Sequence, residues 1–264
     1  MPREVQHRGA RSCSTAYVRL RRRGLPDDWA NIVEEHVAVW QVLDPGEREQ
    51  LAETTDWLLR HKHWEAAQGF ALTDEITVTI ATQAALLVLG LDVADYRKVG
   101  AIIVYPTTMR SRGVYAGPVP GTVTDTDMPV LGEAHDGRGP VLLAWDQAEE
   151  AARHPGSGHN VVFHEFAHKL DMLDDIIDGT PPLERRADLD RWVEVFTEAY
   201  EALREGIARP PLQPYGATNP SEFFAVATEA FFDVPVQLEL HEPRLYEVLR
   251  DFYKQDPAAR VPIT

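Results

Sequence analysis

The chain has 264 residues, 44% of them hydrophobic and 26% charged, a make-up that supports a sizeable folded core and excludes disorder as a description of the whole. Its formal net charge of −16 argues against nucleic acid or an anionic membrane surface as principal partner, because either would repel it. The single cysteine, Cys13, excludes an intrachain disulfide and a thiolate metal cluster, and fits a reducing cytoplasm.

Residues 1–25 carry seven arginines against Glu4 alone, a basic arm ahead of an acidic body. The arm has no apolar h-region and reads as a disordered leader, not a secretory signal. Residues 26–257 read as one domain and 258–264 as a C-terminal tail. Trp29, Ile32, Val33, Val37 and Trp40 recur at helical spacing. Asp44-Pro45-Gly46-Glu47 then has the form of an N-cap, a first-turn proline and a capping-box glutamate, opening a helix toward residue 66. Thr73-Asp74-Glu75 starts a third helix, stopped by Gly90. Its apolar run, residues 84–91, is far short of the roughly 20 residues a membrane span needs.

Residues 99–105 (VGAIIVY) predict a buried strand ended by Pro106, and 140–145 (PVLLAW) a second, with Asp146 placed to cap a short helix. The Gly-, Pro-, Thr- and Asp-rich region 107–138 predicts short strands and loops. Helices return at about 159–172, and at about 183–206 with Trp192, Val193, Phe196, Tyr200 and Leu203 on the apolar face. Two more start at Asn219-Pro220 and after Pro243. The expected fold class is α+β, mainly helical with a small, mostly antiparallel sheet.

The run HEFAH sits inside the helix over 159–172. His164 and His168 are four apart, so both imidazoles leave one face and can share a tetrahedral Zn²⁺. Glu165, beside the first histidine, is placed to take a proton from the attacking water rather than to ligate. Val161, Val162, Phe163, Phe166 and Ala167 supply dry walls; Lys169 is charged where such motifs are commonly neutral. Two histidines need a third ligand. Asp174 falls where one bend of the chain would return a ligand, but Asp171 replaces the glycine that the bend requires. Glu222 and Glu229, seven apart on one face of a later helix, are both candidates. Glu222 also fits the third position of a capping box, and Glu229 an acceptor for a ligand histidine. Asp171 is equally placed to accept from an imidazole or to anchor the helix end.

The strings VVFHEFAHKLDMLD, DGTPP and YGATNPSEFFAVATEAFF closely resemble the Mlc titration factor A family of bacterial zinc metallopeptidases, whose catalytic core is similar to that of anthrax lethal factor. The likeness extends through WDQ, YPTT and LTDE to LPDDW, covering roughly residues 22–257. It implies a zincin-like core and selects Glu222 as third ligand, since Tyr215–Glu222 matches the family's Y-x-A-[ST]-[ND]-P-x-E string with Gly216 in place of a common alanine. It further implies Tyr215 as the phenol that supports the oxyanion, Glu165 as general base, and one Zn²⁺ with an open position. Residues 141–145, just before the motif helix, are expected to bind substrate backbone by β-addition. The implied function is peptide hydrolysis, of aminopeptidase type on short peptides. The alternative is a regulatory protein that sequesters a transcriptional repressor of sugar uptake, as the family's namesake does.

Overall fold

The computed structural model describes residues 24–107, 139–207 and 210–261, with the backbone of short strands at 18–19, 114–116 and 123–125. In chain order these form β1 (Val18–Arg19), α1 (Trp29–His36), α2 (Pro45–His61), β2 (His63–Ala66), α3 (Asp74–Leu87), β3 (Ala101–Tyr105), β4 (Val114–Ala116), β5 (Val123–Asp125), β6 (Val141–Ala144), α4 (Trp145–Arg153), α5 (Val161–Asp171), α6 (Arg186–Arg204), α7 (Pro220–Asp233), α8 (Pro235–His241) and α9 (Pro243–Tyr253). The mainly helical α+β class is what forms. Among the described residues no helix is long and apolar enough to cross a membrane.

Local chemistry starts the helices where the sequence predicts. Asp44 and Glu47 make the reciprocal cap of α2: Glu47 N donates to the Asp44 carboxylate at 2.9 Å and Asp44 N to Glu47 Oε2 at 3.0 Å. Thr73 caps α3, and prolines occupy the first turn of α2, α7, α8 and α9. Asp146 is not the expected cap. α4 begins one residue earlier, at Trp145, and the Asp146 carboxylate accepts from Gln147 N inside the first turn. α8 has no counterpart among the predicted elements.

The sheet corrects the expectation of mostly antiparallel pairing. β2, β3 and β6 run parallel in that spatial order, with His63 beside Ala101 and Ile102 beside Val141; β1 alone is antiparallel, at the β2 edge. The reason is connectivity. The chain between β2 and β3 passes through α3, and a helical crossover brings it back to the same end of the sheet. β2 is concealed in the sequence by the helical run before it, because the helix expected toward residue 66 stops at His61 and Lys62 turns extended. β4 and β5 pair antiparallel as a separate two-stranded unit. The rest of region 108–138, and residues 1–17 and 20–23 of the basic arm, lie outside the described residues.

α3 is buried on every side from Ile76 to Leu87, Thr77, Thr79, Thr82 and Gln83 included. α5 lies between α3 and α7, so the motif helix is central to the core. α7 is anchored by aromatic packing: Trp192 of α6 stacks on Phe196 at 3.9 Å between centroids and meets Phe224 of α7 and Phe252 of α9 edge-on at 5.7 and 5.6 Å. Each buried phenylalanine contributes about 1.5–3 kcal/mol, so these rings hold α7 against α6 and α9. The expected apolar face of α6 needs one change. Val193 is 48% exposed, and Val195 and Ala199 are buried instead. They sit three and seven residues after Trp192, on the same side of the helix, whereas Val193 points roughly 100° away.

Candidate metal centre

α5 starts at Asn160, whose Oδ1 accepts from Val162 N and Phe163 N at 3.0 and 3.1 Å. Helical periodicity then sets His164 and His168 one turn apart, with ring centroids 4.9 Å apart and planes at 82°. α7 enters opposite them. Asn219 caps it by accepting from Glu222 N at 2.9 Å, but the Glu222 carboxylate turns to the two rings rather than completing a capping box.

Three donor atoms converge. His164 Nε2 lies 3.0 Å from Glu222 Oε2 and 3.2 Å from His168 Nε2, and His168 Nε2 lies 3.5 Å from Glu222 Oε2. Tetrahedral bonds of about 2.0–2.1 Å space two ligand atoms about 3.3–3.4 Å apart, so the triangle has the dimensions of three vertices of such a site.

The outward nitrogens explain why the inner ones present lone pairs. His164 Nδ1 lies 2.6 Å from Glu229 Oε1; an ionised carboxylate only accepts, so Nδ1 carries the hydrogen. His168 Nδ1 lies 3.1 Å from Ser221 Oγ, and the Ser221 hydroxyl donates to Asp171 Oδ2 at 2.7 Å, leaving its oxygen to accept from the imidazole. Neutral rings so oriented aim both Nε2 lone pairs and a carboxylate at one point, an arrangement that calls for a cation. Asp171, placed by the sequence either to accept from an imidazole or to anchor the helix end, does not accept from an imidazole directly. It reaches the His168 ring through Ser221, and both its oxygens accept from Gly179 N at 2.9 and 3.1 Å.

The same cluster also attracts protons. Burial alone disfavours a charged His164, but its bonds to Glu222 and Glu229 outweigh burial and push it up to about 10. Burial works against the Glu222 carboxylate too, yet His164 and His168 hold it well below the usual range. Glu229, only 1% exposed, is likewise held low despite burial by His159 and His164. Protons and metal therefore compete for the same inner nitrogens.

Tyr215 stands on the short 3₁₀ turn Pro214–Ala217, its ring 6.1 Å from that of His164. Burial and then the Glu222 charge raise its phenol above the ordinary range, keeping it a hydrogen donor. Glu165 is half-buried, and its charge acts on both His164 and Tyr215. Lys169 points away from the centre and donates to Gly139 O at 3.0 Å, so its charge does not intrude. Asp174 is exposed and accepts from Ile176 N, outside the donor triangle.

Other residues of the centre have no signal in the motif itself. Ser221 and His159 are of this kind, as is Gln83, whose Oε1 accepts from Asn160 Nδ2 at 2.9 Å. Gly179 of DGTPP is legible in retrospect. Its φ is +78°, and a Cβ there would lie 2.3 Å from Pro220 O, so only glycine lets this loop pass against the start of α7. Among the described residues a second group, His36, Glu75 and Glu149, also brings three donors together. Arg153 already supplies its cation, with Nη2 2.6 Å from His36 Nδ1 and Nε 3.2 Å from Glu149 Oε1.

Comparison with known proteins places this geometry in context. A family profile described as glucose-regulated metallo-peptidase M90 matches residues 10–254, beginning within the basic arm and earlier than the motifs alone delimit. An uncharacterised protein of Synechocystis sp. is 37% identical over 241 residues, covering 90% of this chain and 87% of its own. Proteins named Mlc titration factor A from Pectobacterium atrosepticum and Serratia proteamaculans are each 32% identical, over 83% of this chain and 83% and 84% of theirs.

Proposed function

Because the chain belongs to the glucose-regulated metallo-peptidase M90 family, we propose that it is a zinc-dependent peptidase with a zincin-like core, in which His164, His168 and Glu222 hold one Zn²⁺. The observation that carries this reading is the convergence of three donor atoms at 3.0–3.5 Å while the opposite imidazole nitrogens are occupied by acceptors. Imidazole and carboxylate donors suit zinc, and three protein ligands are the number that catalytic zinc sites use.

A bound divalent ion supplies Lewis acidity, which lowers the pKa of water and polarises a carbonyl. Glu165 takes the proton from the attacking water and delivers it to the departing amine. The Tyr215 phenol donates to the oxygen on which negative charge develops, and its raised pKa keeps that proton in place. Peptide backbone is taken up along β6, which forms one end of the four-stranded sheet. Short peptides cut from the amino end are the proposed substrates. A cytoplasmic setting belongs to the same proposal and rests on the lone cysteine.

The test is Glu165→Gln. Metal content stays at the level of the unaltered protein while hydrolysis of a peptide library, read by mass spectrometry, falls by about 10²-fold or more. Undiminished hydrolysis would remove Glu165 from the mechanism. The name shared by the Pectobacterium and Serratia relatives supports a second reading, in which this chain binds a repressor of the Mlc type. Repressor binding that survives Glu165→Gln separates that role from peptide cleavage.

A further inference from the structure

We propose that His159 is a positioning residue for the metal centre, acting on His164 through Glu229; this rests on the reading of His164 as a metal ligand. The Glu229 carboxylate is buried at the start of α5. Its Oε1 accepts from His164 Nδ1 at 2.6 Å, and its Oε2 accepts from Asn160 N at 2.6 Å and from His159 Nδ1 at 2.8 Å. The first donor is the ring being oriented and the second is backbone. His159 is the side chain that shares the far oxygen with that backbone N–H, and it can be exchanged without touching His164.

The histidine is itself held in place. His159 N donates to Ser157 Oγ at 3.1 Å, and that hydroxyl donates to His159 O at 3.1 Å. Asp233, one turn beyond Glu229 on α7, fixes the same loop by accepting from Gly156 N at 3.0 Å and Gly158 N at 2.6 Å. α7 thus carries the carboxylate that orients His164 and the carboxylate that seats the loop bearing His159. With the His159 donor removed, Asn160 N alone holds the far oxygen, and the carboxylate is freer to turn. Oε1 is then no longer fixed opposite His164 Nδ1, and the ring that it orients is less well aimed at the centre.

The test uses the full chain in four forms: unaltered, His159→Leu, His159→Asn and His164→Ala. Zn²⁺ affinity is measured by chelator competition, the visible absorption of the Co²⁺-loaded protein reports ligand geometry, and melting of the chelator-treated protein reports folding. Asparagine places its Nδ2 near the position of the lost Nδ1, so it keeps the donor; leucine does not. The expected result is roughly 10-fold weaker Zn²⁺ binding and an altered Co²⁺ spectrum for His159→Leu, with both largely restored in His159→Asn. Affinity and spectrum unchanged in His159→Leu, or His159→Asn as weak as His159→Leu, would overturn the inference. Where His159→Leu does not fold, His159→Gln replaces it as the variant with a displaced donor, and equality of Asn and Gln overturns the inference. Tight Zn²⁺ binding by His164→Ala, or none by the unaltered chain, overturns the metal reading itself and this inference with it.

Discussion

Replacing Glu229 by glutamine changes one atom of a buried side chain and sets three hydrogen bonds against one another. Oε2 accepts from Asn160 N and His159 Nδ1, and Oε1 accepts from His164 Nδ1. If the amide oxygen takes the Asn160 side, the NH₂ faces His164 Nδ1 and forces the ring hydrogen to Nε2, where it blocks the metal. If the amide is flipped, the Asn160 N–H faces a donor. Either way one charge-assisted bond is lost, worth about 1.5–3 kcal/mol. At about 1.4 kcal/mol per tenfold, Zn²⁺ binding should weaken by roughly 10- to 100-fold, the usual scale for a residue that supports a ligand histidine. Chelator competition at neutral pH measures it, alongside Glu222→Ala, which removes a donor of the triangle and should lose more. Unchanged affinity in a folded Glu229→Gln would refute the tautomer argument. Loss of metal in Glu229→Gln with retention in Glu222→Ala would exchange the roles of the two glutamates.

Ser221→Ala removes the acceptor of His168 Nδ1 and strips Asp171 of a donor, so unfolding in urea should show a loss of about 1–3 kcal/mol. Gly179→Ala should lower stability by more than about 1 kcal/mol, because the residue has φ +78° and a Cβ would meet Pro220 O at 2.3 Å; a calorimetric melting temperature matching the unaltered protein would contradict this. In chelator-treated protein, despite burial, the bonds to Glu222 and Glu229 should raise His164 from an ordinary 6.5 to about 10. A raised value means that the charged ring stabilises the fold fully below pH about 6.5, and that this contribution is lost as pH rises through about 10. Melting temperature should therefore fall between pH about 7 and 10 after chelation, and a rise over that window would contradict the assignment.

Features written in neighbouring residues were readable from the chain alone. The Asp44–Glu47 cap, the Thr73 start and the proline openings of α7 and α9 involve groups within one turn of each other, so local chemistry specifies them whatever the rest of the fold does. β2 was not readable, because its alternation of polar and apolar residues lasts only four residues, directly after a long helical run, and becomes a strand by pairing with β3. The same holds for the parallel sheet, which depends on where α3 carries the chain. Val193 shows a subtler limit: periodicity marks an apolar stripe but not which neighbour covers it.

The sequence is enough to join the two histidines as a pair, since a spacing of four on a helix puts both rings on one face. It narrowed the remaining carboxylates to Glu222 and Glu229 and could not separate them by periodicity, since seven residues bring a side chain back to the same face about 10 Å further along the helix. Tertiary structure places the two differently. α7 lies against α5 so that the His164 ring sits between the two glutamates, Nε2 toward Glu222 and Nδ1 toward Glu229. An imidazole has one nitrogen to present inward and one to be held from outside, and only the packing of the two helices decides which carboxylate meets which.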